Sequence, residues 1–187
     1  MGNKLKNSNE EVTQNINTET TNSIQIIKTN NKWQERIEEY EGIILDSPDG
    51  RLIKTILKIE FTKKKKIKYS SSDGSIYRID QVKDFSKDQE IMLNTEQIKY
   101  LQWVGNYDKN QKKYGKWVAI WQGHTLSNIG GFYMKNGEKE GFWMELFEQF
   151  QNKARVFQHG EYDNGQKIGY WKYIYRNREI QRDIMNS

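Results

Sequence analysis

Three segments of the chain share one pattern, and no other feature constrains the fold as strongly. Each has a glycine two residues before a tyrosine, a short polar stretch, then a glycine two residues before a tryptophan. They run from Gly105 and Tyr107 to Gly115 and Trp117, from Gly131 and Tyr133 to Gly141 and Trp143, and from Gly160 and Tyr162 to Gly169 and Trp171. The leading glycines lie 26 and 29 residues apart (131 − 105, 160 − 131). Within a copy the two glycines are 10, 10 and 9 apart (115 − 105, 141 − 131, 169 − 160). A recurring period of this size marks a repeat architecture, in which each unit is one supersecondary element.

The chemistry of one copy predicts a β-hairpin. Asn136-Gly137 and Asn164-Gly165 are two-residue turn signals, because both central positions favour positive φ. Lys109-Asn110-Gln111 stands there in the first copy and predicts a looser turn. The tyrosine and the tryptophan then share one face and can pair across the ladder. A glycine two residues before each aromatic removes a Cβ, so that a ring from a neighbouring repeat can lie over the backbone. The lysines after each turn are expected to keep the solvated face polar. One hairpin is marginal alone, but stacked hairpins bury a continuous set of rings.

The best-formed copy, GEYDNGQKIGYW, resembles the MORN (membrane occupation and recognition nexus) repeat. Gly160, Glu161, Tyr162, Asn164, Gly165 and Gly169 match that pattern, while Trp171 stands in place of its final glycine and the period is longer. The run from Gln97 to Tyr175 is similar to MORN-like repeat proteins, which are abundant in protists. The resemblance implies stacked hairpins in an elongated twisted sheet. Membrane-lipid binding is a property ascribed to some of these proteins.

The rest of the chain is read around this array. Its 187 residues suggest one domain or two small ones, and a mean hydropathy of −1.00 argues for a thin core. Five of the six tryptophans follow residue 100, so the better-packed half is C-terminal. Residues 1–32 are rich in Asn, Thr and Ser without an aromatic, and read as a disordered tail in which Ile24, Ile26 and Ile27 form a candidate short strand. Residues 33–96 read as a small β-meander with a linker. Ser47-Pro48-Asp49-Gly50 and Ser72-Asp73-Gly74 punctuate its strand-like runs. NKWQERIEEYEG fits a short helix or a strand. Residues 84–97 are polar enough for a linker, and residues 176–187 read as a C-terminal tail. MELFEQFQNKARVFQ, between copies two and three, fits a short helix or a pair of strands, and is the expected place for a repeat-specific binding feature.

The fold class expected is therefore mostly β: a meander followed by three stacked hairpins. The function expected is a non-enzymatic scaffold or protein-interaction module. Its last strand is expected to leave an open edge able to pair with a second copy. No cofactor or metal is expected. Cysteine is absent, which removes thiolate chemistry and disulfides. His124 and His159 are the only histidines and lack ligand spacing. Glu145 and Glu148 could share one helical face, but two acids near a tryptophan are a weak catalytic signal.

Two features point to anionic surfaces. Lys63, Lys64, Lys65 and Lys66 form a run between two predicted strands, where a solvated loop outweighs a specific site. Met1-Gly2-Asn3-Lys4-Leu5-Lys6 begins like an acylation signal with Lys6 in place of Ser or Thr. An acylated Gly2 with the lysine run would make a membrane-peripheral adaptor, the alternative reading. A net charge of +5 does not single out nucleic acid, and a cytoplasmic location is the default expectation, with membrane or cytoskeleton association open.

Overall fold

The computed structural model describes residues 24–27, 33–45, 52–84 and 89–185. Gly2 and the Ser47–Gly50 turn lie outside them. In chain order the elements are β1 (Ile24–Ile27), β2 (Arg36–Leu45), β3 (Leu52–Phe61), β4 (Lys66–Ser71), β5 (Ile76–Gln81), β6 (Gln89–Met92), α1 (Thr95–Tyr100), β7 (Leu101–Tyr107), β8 (Lys113–Trp121), β9 (His124–Tyr133), β10 (Lys139–Leu146), β11 (Val156–Asp163), β12 (Gln166–Tyr175) and β13 (Arg178–Met185). They build a four-stranded sheet β2-β3-β4-β5, a seven-stranded sheet β7 to β13 and the two-stranded pair β1-β6, all antiparallel.

The four-stranded sheet follows from period-two burial. Leu57, Ile59 and Phe61 on β3 and Ile67 and Tyr69 on β4 turn inward, while Lys58 and Glu60 alternate outward. β2 settles the ambiguous NKWQERIEEYEG as a strand, paired with β3 from Arg36↔Phe61 to Leu45↔Leu52. Its polar inward positions pair with one another: Glu38 accepts from Arg36 Nε (2.6 Å) and Tyr40 OH (2.5 Å).

Two expectations need correction. The polar stretch 84–97 is not a linker over its whole length, because it contains β6 and the start of α1. Ile91, Leu93 and Ile98 are buried against the four-stranded sheet, and these apolar anchors suffice to order a polar segment. Residues 176–187 are not simply a tail: β13 pairs with β12 from Tyr175↔Arg178 to Gly169↔Met185. The Ile24–Ile27 stretch does form a strand, β1, paired with β6.

The seven-stranded sheet is a plain meander in which each repeat copy is one hairpin: β7-β8, β9-β10 and β11-β12. The turns of copies one and two share one geometry. Asp108 and Met134 donate to the carbonyls of Lys112 and Glu138 (2.9 and 2.8 Å), and the left-handed residue is Gln111 (φ 64°) or Gly137 (φ 83°). These are three-residue loops, so the two-residue turn expected at Asn136-Gly137 is not formed. Only copy three has it, with Asn164 at φ 50° and Gly165 at φ 85° between paired Asp163 and Gln166. The one-residue difference in loop length accounts for the glycine spacing of 9 instead of 10 (169 − 160 against 141 − 131).

MELFEQFQNKARVFQ forms no helix. β10 ends at Leu146, a loop closed by a Gln151↔Ala154 bridge follows, and β11 begins at Val156. Within the chain, this insertion packs against α1. Asn94 caps the helix with its side-chain oxygen, while its Nδ2 donates to the carbonyls of Glu148 (3.0 Å) and Phe150 (2.9 Å). Gln97 Nε2 donates to Phe147 (2.8 Å) and Glu148 (3.0 Å), and Asn152 N donates to Glu96 (2.9 Å). The helix joins the two larger sheets.

Candidate functional site

The repeat residues assemble one continuous edge-to-face ladder across the seven-stranded sheet. Ring centroids run Tyr107–Trp117 5.1 Å, Trp117–Tyr133 5.6 Å, Tyr133–Trp143 5.0 Å, Trp143–Tyr162 6.0 Å and Tyr162–Trp171 5.1 Å. Interplanar angles between 70° and 86° suit the quadrupoles of the rings. Trp117, Trp143, Tyr162 and Trp171 are buried with Tyr133 packed against them, so this part of the signature is core, while Tyr107 at the end of the ladder is exposed.

The six glycines divide into two jobs. A Cβ built on Gly105, Gly131 or Gly160 would come within 2.4–2.5 Å of the indole of Trp117, Trp143 or Trp171. That ring belongs to the glycine's own copy, not to a neighbouring repeat as the spacing suggested. The trailing glycines Gly115, Gly141 and Gly169 have open space beside them but sit at φ 70°, 66° and 62°. They let the strand bulge, and register shifts fall at these positions.

Lysines complete the ladder, contrary to the expectation that they face solvent. Lys113, Lys139 and Lys167 each stand two residues before the trailing glycine (115 − 113, 141 − 139, 169 − 167). Their ammonium groups lie 5.0, 4.9 and 3.9 Å from the ring centroids of Trp117, Trp143 and Trp171. Lys113 and Lys139 also approach Tyr133 (5.1 Å) and Tyr162 (4.8 Å). Their aliphatic stems cover the rings while the cations meet the π-faces. A lysine at constant phase was visible in the sequence and marks this role.

At the centre is a buried polar cluster. Lys139 Nζ contacts Glu145 Oε1 at 2.5 Å, with the side chains 18% and 10% exposed. Gln158 Nε2 and Tyr162 OH donate to Glu145 Oε2, both at 3.2 Å. Burial alone would push the Glu145 carboxyl up, but the charges of Lys139 and Lys167 and the hydrogen bonds from Lys139 and Tyr162 hold it below the ordinary value. Burial likewise works against the Lys139 ammonium, and Glu145 with Glu90 raises it well above the usual lysine range. Burial pushes the Tyr162 and Tyr133 phenols up. Lys167 is lowered by burial, with Glu145 opposing and Lys139 adding to the shift. The cluster is a satisfied internal ion pair.

The other candidates do not converge. Glu148 lies in the loop after β10, where its carbonyl serves the α1 junction, so Glu145 and Glu148 share no helical face. His124 opens β9 exposed, and His159 lies on β11 opposite Lys172. Among the described residues no group of three or more His, Cys, Asp or Glu side chains could hold a metal ion. Lys63, Lys64 and Lys65 are the three exposed residues of a hairpin loop closed by Thr62 and Lys66. Lys63, Lys64, Lys66 and Lys68 border an open depression on the four-stranded sheet with Arg36 and Glu60. Lys68 is paired with Glu60 and Arg36 with Glu38, leaving a mixed-charge surface there.

No protein-family model, curated protein or solved structure matches the chain. No helix among the described residues is long and apolar enough to cross a membrane.

Proposed function

We propose that this chain is a non-enzymatic interaction module built from MORN-like hairpin repeats. One contrast carries the reading. The recurring rings turn inward and are consumed in packing, whereas the residues between glycine and ring turn outward. Those outward positions are Asn106, Lys116, Phe132, Phe142, Glu161 and Tyr170, and all six are exposed. The inward set is nearly constant between copies and the outward set varies, as in an array whose frame is fixed and whose outer face is free to specify a partner. Exposed aromatics on a rigid sheet favour protein contacts.

Cross-linking of the full chain in its native cell, read by mass spectrometry, tests this. Partner cross-links are expected from Lys116, on the outer face. Cross-links confined to Lys63–Lys65 would instead favour the membrane-peripheral reading, which rests on the exposure of that loop.

A further inference from the structure

We infer that the outer face of the seven-stranded sheet binds a second copy of this chain. The inference rests on the interaction-module reading and names the occupant.

The face carries an apolar stripe that Glu161 on β11 interrupts. Val104, Phe132, Phe142 and Tyr170 are 46%, 55%, 72% and 60% exposed. They lie on β7, β9, β10 and β12. With full areas of about 150–250 Å² per large side chain, the four offer roughly 500 Å² of apolar-rich surface. A standard interface buries about 800 Å² on each partner, a little over half of it apolar, so the stripe matches what one side of a stable dimer needs.

The ends of the sheet are poorly suited to self-association. Interior junctions set a tryptophan opposite a glycine, as in Trp117↔Gly131 and Trp143↔Gly160. On β13 that position holds Asp183, opposite Trp171. An inward acid on an edge strand is a device against further pairing. At the other end Arg78 donates to the Leu101 carbonyl of β7, and Lys83 lies 3.7 Å over the Tyr107 ring. Both end strands are also leading strands in repeat phase, so joining them would not continue the alternation. The flanking polar segment, residues 1–32, has no aromatic to fill the stripe.

Charge complements the area. Across the face lie Lys116 on β8, Glu140 on β10 and Glu161 on β11, while Lys172 on β12 and Arg182 on β13 face each other and are both paired with Glu179. A two-fold axis along the strands between β9 and β10 lays β8 with Lys116 of each copy over β11 with Glu161 of the other, β9 with Phe132 over β10 with Phe142, and β12 with Tyr170 over β7, where Val104 is exposed. Stacked sheets with interdigitated side chains are an ordinary packing mode.

Sedimentation velocity of the full chain across a wide concentration range tests the inference. The expected result is a dimer of twice 22.4 kDa. Phe142→Ser with Tyr170→Ser is expected to leave a folded monomer by circular dichroism. Lys116→Glu and Glu161→Lys are each expected to weaken the dimer about tenfold, equivalent to about 1.4 kcal/mol, and their combination to restore it. A monomer at every concentration, or a dimer indifferent to the Phe142/Tyr170 change, overturns the inference. If the chain is monomeric yet that change abolishes capture of another protein, the second-copy assignment fails and the interaction-module reading survives.

Discussion

Trp171 lies flat against Gly160, so that a Cβ on the glycine would sit 2.5 Å from the indole. The same relationship joins Trp143 to Gly131 and Trp117 to Gly105. It makes the leading glycine a contact residue and separates it from the trailing glycine, whose task is conformational.

Substitution should separate the two tasks. Gly160→Ala is expected to cost about 2–3 kcal/mol, because the ring has backbone and neighbouring rings around it and little room to retreat. Gly169→Ala is expected to cost about 1 kcal/mol through its left-handed φ, and Gly169→Asn less, since asparagine tolerates that region. Urea unfolding of the three variants checks the order; equal costs at the two positions would remove the distinction.

The Lys139–Glu145 pair gives a second prediction. Glu145→Gln leaves a buried ammonium without its counter-charge and is expected to destabilise by about 3 kcal/mol. Replacing both partners, Lys139→Met with Glu145→Leu, is expected to cost less than Glu145→Gln alone. Chemical denaturation of single and double variants measures the coupling.

The pH dependence follows in sign from the same cluster. The folded Glu145 value is depressed, so its contribution is present above the ordinary carboxylate value of 4.5 and is lost as pH falls through the folded value. The tyrosines act at the other end. Burial raises Tyr69, Tyr133 and Tyr162, and burial with an Asp183 hydrogen bond raises Tyr173 to about 12. Their contribution is full below the ordinary value of 10.0 and is lost as pH rises through the folded values. Stability from denaturant melts should therefore fall in both strong acid and strong base, and tyrosinate absorbance should rise in step with alkaline unfolding.

The α1 junction is a local prediction. Gln97→Ala removes two hydrogen bonds to the loop after β10, and Asn94→Ala removes both a helix cap and two more. Losses of about 1–2 kcal/mol each are expected. Hydrogen exchange should quicken in the loop from Phe147 to Asn152 before it quickens in β8 or β12.

The frame was legible because glycine and aromatic residues recur at phases that only a hairpin ladder explains. What escaped was the sense of individual polar residues. Lys113, Lys139 and Lys167 read as solvated because composition weighs a lysine by its charge, while the fold uses its stem and a π-face. The 84–97 stretch read as a linker because one isoleucine, one methionine and one leucine in a row among polar neighbours leave no periodic signal. Asn136-Gly137 and Asn164-Gly165 look alike in sequence, yet only the glycine spacing distinguishes a three-residue from a two-residue loop. Glu145 carried a sequence hint of chemistry that its buried partners Lys139, Gln158 and Tyr162 turn into an internal ion pair.

The most direct test compares the inward and outward residues of one copy. Phe142→Ser with Tyr170→Ser should leave the melting temperature within a few degrees of the parent, because both side chains are exposed. The same change should abolish recovery of the partner, whether a second copy or another protein. Recovery at the parental level from this folded variant would contradict the assignment of frame to the ladder and recognition to the outer face.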